Sequence, residues 1–273
     1  MEFKPTDNAK HLYSIPQRYN TIVKANELIQ KSRFSLSAQQ QKIVLYIISQ
    51  INPFDDDFKE YEFRITDFCK VCGIETKGNI YEEIRQQIKD IADKSIWIEL
   101  DNGAETLARW IETPTIEKNS GTIRININKN MKPFLLHLQE KYTQYDLIYT
   151  LNFKSKYSIR LYEYLKSIHF NKFKQHYLTV EIDKFQQLLD SPYKTFRDFN
   201  VNVLKPAHKE INKLSDIMFD YELIRHGRRV TEIKITVTVK DTMDRLRIAK
   251  ENERLLDGKE VADYEQQQFD FNR

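Results

Sequence analysis

The chain has 273 residues, of which 40% are hydrophobic and 30% are charged, and its 43 Lys and Arg nearly balance 40 Asp and Glu. This composition indicates a globular protein and excludes a disordered or collagen-like chain. No run approaches ~18 apolar residues, residues 1–19 lack the apolar core of a signal peptide, and there are only two cysteines, so we expect a cytoplasmic protein without a membrane span.

The first half predicts the order helix, strand, short helix, long helix and β-hairpin. Ser37 is a predicted N-cap, and Gln40 stands at the capping-box position. We place the ends of the other predicted helices and strands from the spacing of hydrophobic residues and from Gly, Asn and Pro, which are typical of turns. The predicted elements are helix 38–51, strand 61–65, short helix 66–73, long helix 79–94, and strands 95–100, 107–113 and 122–128.

The second half predicts the same order. Its elements are a helix with its stripe at Tyr157, Leu161, Leu165 and Ile168, strand 177–180, short helix 182–189, long helix 195–214, and strands 219–225 and 230–239. The end of the first long helix, 89–95, matches 209–215 at Lys, acid, Ile and Ser, in the same place before the hairpin. We interpret this as an internal duplication.

This order of elements is that of a winged helix, so we predict an α+β fold with two tandem winged-helix domains. We divide the chain into an N-terminal extension 1–19, a first winged helix 20–130, a second winged helix 131–240 and a polar acidic tail 241–273. Residues 131–141, with Pro133 near their start, are predicted to form a linking helix.

The charge is distributed unevenly between the halves. Residues 151–240 hold 17 basic and 10 acidic side chains, whereas residues 51–150 hold 13 basic and 18 acidic ones. Such asymmetry is expected when one part of a protein faces a polyanion. A solvated surface is the alternative, but it usually mixes the two signs more evenly.

The long helix of the second half has a predicted DNA-facing side. Its apolar residues fall on the opposite side, which must be core. The polar side fits a recognition helix in the major groove, although a merely solvated basic face is the alternative. Pro206 should kink the helix. The predicted contacts on this side are Lys194, Arg197, Asp198, Asn202, Lys205 and Lys209.

Two further segments are predicted to contact phosphate. The hairpin turn carries Arg225, Arg228 and Arg229, whose forked guanidinium donors suit phosphate or the minor groove. Lys154 and Lys156 stand at the start of the helix through Leu161, and a helix N-terminus with lysines attracts anions.

The first half has an acidic long helix, which is a poor surface for DNA backbone. Its strands carry Trp97, Ile98, Trp110 and Ile111, more apolar bulk than one small domain needs. Each of these residues alone fits a core position, but together they indicate a protein interface, such as a dimer formed through strands.

No catalytic constellation is recognisable in the sequence. A Gly-x4-Gly-Lys-Ser/Thr loop is missing, and no His-x-His pair for a metal-dependent nickase is present. Cys69 and Cys72 resemble half a zinc site, yet without a second cysteine pair they fit better as small packing residues. We therefore expect a protein that is not an enzyme and has no metal or cofactor.

With these elements in place, the chain resembles the iteron-binding plasmid replication initiators, the Rep proteins with two winged helices, over roughly 20–239. The segments that carry the resemblance are Lys154–Leu165, Leu204–Asn212, Tyr221-Glu222, Gly227–Val230 and Leu36–Lys42.

The resemblance implies a sequence-specific initiator that binds direct repeats at a plasmid origin. The second winged helix would read bases and the first would hold the DNA backbone. The resemblance also implies opening of an AT-rich segment, recruitment of the host initiator and replicative helicase, and a dimer through the first winged helix that represses its own promoter. A tandem winged-helix transcriptional regulator, a rolling-circle nicking enzyme and a structural interaction protein are the alternatives.

Overall fold

The structure is a computed structural model and describes residues 15–100, 102–117, 120–168 and 174–258. Most of the predicted N-terminal extension, 1–14, and the end of the predicted tail, 259–273, lie outside these residues. In the part of the chain that is described, no helix is long and apolar enough to cross a bilayer.

The first half begins with a five-residue strand, and its two longest helices have 11 and 14 residues. Ala38–Ile48 is the first of these two helices. Ser37 caps that helix as predicted, because its hydroxyl accepts from the Gln40 amide while the Gln40 side chain accepts from the Ser37 amide. The elements are β1 Thr21–Ala25, α1 Asn26–Lys31, β2 Ser32–Arg33, α2 Ala38–Ile48, β3 Tyr61–Arg64, α3 Ile65–Cys72, α4 Ile80–Asp93, β4 Ser95–Glu99, β5 Glu105–Arg109, β6 Ile111–Ile116 and β7 Thr122–Ile127.

The predicted strand 107–113 is two strands in the structure. It divides at Trp110, where β5 ends and β6 begins, and the two pieces join different sheets, in the orders β2-β4-β5 and β3-β7-β6. Trp110 is buried and packs edge-to-face on Phe34, with 5.2 Å between ring centroids. Trp110 and Ile111 are both buried, so the alternation of buried and exposed side chains breaks at this corner. Residues 107–113 contain no Gly, Pro or Asn, so no turn signal marked the division in the sequence.

The predicted linking helix 131–141 is wrong beyond its first turn. A 3-10 turn over Lys129–Met131 leads into the four-residue helix α5, Lys132–Leu135, and the chain then becomes extended at Leu136. His137 has a positive φ of 51° and donates its backbone amide to the Pro53 carbonyl at 2.7 Å. This tertiary hydrogen bond and the burial of Leu136 end the helix early.

The second half follows its predicted order closely. A strand, β8, first returns to the first half and pairs with β1. The predicted acidic tail begins as a helix, α11, whose N-cap is Asp241. The elements are β8 Tyr142–Asp146, α6 Ile148–Leu151, α7 Lys156–Ile168, β9 Gln175–Glu181, α8 Ile182–Leu188, α9 Phe196–Phe199, a π-helical turn Asn200–Leu204, α10 Lys205–Leu214, β10 Ile217–His226, β11 Arg229–Val239 and α11 Thr242–Leu256.

The two halves share one sheet topology. In the first, β7 lies between β3 and β6, and in the second, β11 lies between β9 and β10, with antiparallel pairing throughout. In each half the first strand precedes a helix pair and the other two form the wing. The matched segments 89–95 and 209–215 lie at the ends of α4 and α10. The predicted α+β fold of two winged helices is therefore confirmed.

Helix α7 joins the two halves through buried charges. Glu163 accepts from the Lys24 ammonium of β1 at 2.5 Å and from the Tyr145 hydroxyl of β8, and all three side chains are buried. Burial lowers the pKa of Lys24, and the nearby Glu163 carboxylate opposes this shift. Arg160 donates to the carbonyls of Ser32 in the first half and Leu188 in the second, at 2.9 and 3.2 Å.

Helix α11 forms a second connection between the halves. The buried Asn252 side chain donates to the Leu214 carbonyl at the end of α10, at 2.7 Å. Just after α11, Asp257 pairs with the buried Arg18 guanidinium at 2.9 Å, and Arg18 also donates to the Val71 carbonyl of α3. The first part of the predicted tail is thus packed against both winged helices.

We expect Glu163→Gln to destabilise the protein by roughly 3–5 kcal/mol, because Lys24 would remain buried without a counter-charge. That loss is a large fraction of a typical folding free energy. Urea denaturation measures it. The control is Glu62→Gln, which breaks the exposed pair with Arg124 and should cost far less. Equal losses in the two variants would contradict a structural role for the buried pair.

Candidate nucleic-acid interface

The long helical segment from α9 to α10 has one buried and one exposed side, as the sequence predicts. Phe196 at its start is only partly buried. The remaining predicted core residues, Phe199, Val203, Leu204, Ala207, Ile211 and Leu214, are all buried. The residues predicted to contact DNA, Lys194, Arg197, Asp198, Asn202, Lys205 and Lys209, are all exposed.

Thr195 organises the start of this segment. Its hydroxyl accepts from the Asp198 amide at 3.1 Å and donates to the Asp198 carboxylate at 2.7 Å. A threonine N-cap of this kind satisfies a backbone donor that the helix leaves unpaired. Asn202 in turn donates its side-chain amide to the Asp198 backbone carbonyl at 2.9 Å. Asp198 and Asn202 are exposed, and each already makes one side-chain hydrogen bond at this end of the helix.

The helix does not break at Pro206. Instead the five residues before Lys205 form a π-helical turn, in which the Lys205 amide donates to the Asn200 carbonyl, five residues back. Proline lacks an N–H and its ring clashes with the carbonyl four residues earlier, and the wider turn accommodates both effects. The Tyr221 hydroxyl of β10 donates to the Asn200 side chain at 3.0 Å and holds the turn against the wing.

The cations of this side have no carboxylate partner among the described residues. Within the described ranges, Lys194, Arg197, Lys205 and Lys209 form no ion pair. Their charges are available to an anionic partner, and an α-helix with its side chains fits the major groove.

The wing presents the second predicted contact. Strands β10 and β11 are joined by a two-residue turn at Gly227 and Arg228, where Gly227 has a φ of 61° that favours glycine. A register shift at Ile224 and Arg225 twists the hairpin near its tip. Arg225 and Arg228 are exposed and form no ion pair with a described residue. Arg229 is also exposed, and it pairs with Asp183 of α8 at 3.3 Å.

The predicted phosphate site at the start of α7 is already occupied. The backbone amides of Lys154 and Ser155 donate to the Glu210 carboxylate at 3.0 and 3.3 Å. The side chain of Lys156 lies over the Tyr157 ring, 5.0 Å from its centroid. This side chain also comes within 4.0 Å of Asp190. A phosphate bound to these two amides would have to displace the Glu210 carboxylate. The exposed Lys154 side chain forms no ion pair with a described residue.

The predicted dimer interface needs correction for three of its four residues. Ile98, Trp110 and Ile111 are buried in the core of the first half, so they cannot face a partner in this conformation. Trp97 is 45% exposed on the outer face of the sheet β2-β4-β5, opposite Leu107, which is 48% exposed. Alternation in β4 puts Trp97 outside and Ile98 inside.

The two cysteines are core residues of α3. Both are buried, and burial raises the pKa of the Cys72 thiol to about 12, so this thiol is protonated at neutral pH. Across the described part of the chain, no group of three His, Cys, Asp or Glu side chains could hold a metal ion.

Two groups that shape this interface were not predicted from the sequence. Glu210 was not recognised because its role depends on α7, about fifty residues away in sequence. Val201 is 51% exposed on the same side of the α9–α10 segment as the predicted DNA-contacting cations. Its place on that side was visible in the sequence, but an apolar residue there was not read as a contact.

Comparison with known proteins identifies the family. Residues 21–166 match the family described as "Initiator Replication protein, WH1", and residues 181–237 match "Initiator Rep protein, WH2". The chain belongs to this family of replication initiator proteins. The first match extends into α7 and ends two residues before that helix does, and the second begins at the last residue of β9. The predicted domain boundary at residue 131 stays a prediction.

Two relatives of this family member extend the comparison. A replication initiation protein of Escherichia coli is 25% identical over 250 residues, which cover 88% of this chain and 76% of that protein. The crystal structure of the Pi initiator protein in complex with iteron DNA superposes with a TM-score of 0.70 at 19% identity, covering 82% of this chain and 99% of that one. The second likeness confirms the fold.

We expect Arg228→Ala to weaken binding to all duplex DNA by a similar factor, because an exposed guanidinium at a wing tip contacts phosphate. The slope of log affinity against log salt should fall by about one unit. Fluorescence anisotropy over a salt series measures it. Lys250→Ala, which removes an exposed cation from α11, is the control. An unchanged slope for Arg228→Ala would exclude the wing tip from the interface.

Proposed function

We propose that this family member is a plasmid replication initiator that binds directly repeated origin sites, or iterons, through its second winged helix. The observation that carries the proposal is the exposed side of the segment from α9 to α10, whose cations form no ion pair with any carboxylate in the described part of the chain. Support comes also from the Pi initiator, which shares the fold and whose structure was solved with iteron DNA. The proposed activity is binding without a catalytic step.

The finer steps are part of the same proposal. We infer that the bound protein helps to open an adjacent AT-rich segment and brings in the host initiator and the replicative helicase, as the family resemblance implies. The first winged helix would contribute contacts to the DNA backbone, although its α4 carries exposed Glu82 and Glu83 in the first turn. These acidic residues favour the second winged helix as the main source of affinity.

Substitution of the groove-facing cations tests the proposal. We expect Arg197→Ala or Lys205→Ala to weaken binding to the protein's own repeat by about 1–3 kcal/mol, because each removes a donor that can reach guanine. Binding to random duplexes should change much less. Footprinting of the DNA that flanks the gene locates the repeat, and anisotropy compares the affinities.

The pattern of the footprint separates the candidate functions. Tandem protected repeats beside an AT-rich tract support initiation, whereas a single protected palindrome at a promoter would support a transcriptional regulator instead. An equal loss on random DNA in both variants would show that these side chains contact only phosphate. Lys213→Ala, near the end of α10, removes an exposed cation outside the predicted set and is the matched control.

We also propose that the protein forms a dimer through the first winged helix and represses its own promoter in that form. The supporting observation is the cross-strand pair of Trp97 and Leu107, which places two large apolar side chains together on an exposed sheet face.

We expect Trp97→Ser to lower the dimer fraction in sedimentation velocity, because it removes the larger apolar side chain of this pair. The fold should persist, since the Trp97 side chain is 45% exposed. Met243→Ser removes an apolar side chain that is 75% exposed on α11 and serves as the control. A dimer fraction that is unaffected by Trp97→Ser would exclude this face from the interface.

A further inference from the structure

Val201 is an apolar side chain at the centre of a polar surface. It lies in the π-helical turn, four residues after Arg197 and four before Lys205, and it is 51% exposed. On a helix, residues at this spacing share a face, so the valine lies between two cations that form no ion pair with described residues.

The polar neighbours of Val201 are already hydrogen-bonded within the protein. The Asn202 amide donates to the Asp198 carbonyl, and the Asp198 carboxylate accepts from Thr195. Asn200 accepts from the Tyr221 hydroxyl. Val201 therefore differs from these neighbours, because it exposes an apolar surface between the two cations.

The position of Val201 is also well defined. The Lys205 amide and the Tyr221 hydroxyl both bond to Asn200, the residue just before it. Valine is branched at Cβ and has a strongly preferred rotamer in a helix, so its methyl groups have a fixed direction. A rigid apolar group costs little entropy when it is buried against a ligand.

The floor of the major groove carries hydrogen-bond donors and acceptors and one apolar group, the 5-methyl of thymine. Valine cannot donate or accept a hydrogen bond, so opposite a polar base edge it would leave that edge unsatisfied. We propose that Val201 is a specificity-determining residue that contacts the 5-methyl group of a thymine in the repeat, between the contacts of Arg197 and Lys205. The inference rests on the proposed function, because it needs the α9–α10 segment in the major groove.

The size of the effect follows from the area of one methyl group. Burial of one CH₂-sized group changes affinity about fourfold, which corresponds to about 0.8 kcal/mol. This loss is smaller than the loss expected on removal of either flanking cation. It depends on one methyl group of the DNA, so it can be measured separately from the effects of the cations.

The experiment is a thymine-to-uracil scan of the repeat. A duplex that the purified full-length chain selects from a randomised library is resynthesised with deoxyuridine at each thymine in turn, which removes one methyl and keeps the base pairing. For the unmodified protein we expect one position to lose affinity about fourfold. For Val201→Ala the affinity on the thymine duplex should already be about fourfold lower, and uracil at that position should cause little further loss.

Matched variants and outcomes complete the test. Val201→Thr keeps one γ-methyl and should fall between valine and alanine, whereas Leu246→Ala on α11 removes another exposed apolar side chain and should behave as the unmodified protein. Uracil tolerated at every position, or a uracil effect that is undiminished in Val201→Ala, would overturn the inference. If the unmodified protein does not prefer the selected duplex to a scrambled one, the proposed function itself fails.

Discussion

The buried carboxylate of Glu163 is the contact on which the placement of helix α7 against strands β1 and β8 depends. It pairs with Lys24 and Tyr145 from the two strands that form the β1-β8 sheet, and it belongs to the helix whose Arg160 reaches into both halves. A buried ion pair adds little net stability compared with apolar packing, but its geometry is demanding because an unpaired buried charge is very costly. The pair therefore sets the position of α7 relative to the first half.

The exposed side of the α9–α10 segment is held in place by hydrogen bonds from elements packed behind it. Glu210 of α10 accepts from the amides before α7, and Tyr221 of the wing holds Asn200 in the π-helical turn. These contacts order the helix and the wing without using the outward-facing cations. The polar residues next to Val201 make hydrogen bonds within the protein, whereas the Val201 side chain stays 51% exposed. This is the observation from which we propose a contact with thymine.

The two halves show how one topology acquires different surfaces. Both have the same strand order, yet α4 begins with Glu82 and Glu83, whereas the segment ending in α10 begins beside Lys194 and Arg197. The first half also carries the additional sheet β2-β4-β5, whose outer face exposes Trp97. The first half thus exposes an apolar sheet face, whereas the second exposes cations that suit an anionic partner.

The sequence by itself determined the two winged helices, the buried side of the α9–α10 segment and the Ser37 cap, because these depend on local periodicity and on residues a few positions apart. The tertiary structure decided what depends on distant partners. In the structure, the predicted strand 107–113 divides at Trp110, and the predicted linking helix ends before Leu136. Three apolar residues of the predicted interface are buried in the core. The tertiary structure also placed the Glu210 carboxylate where a phosphate was expected, since the groups that satisfy a helix end come from whichever element packs beside it.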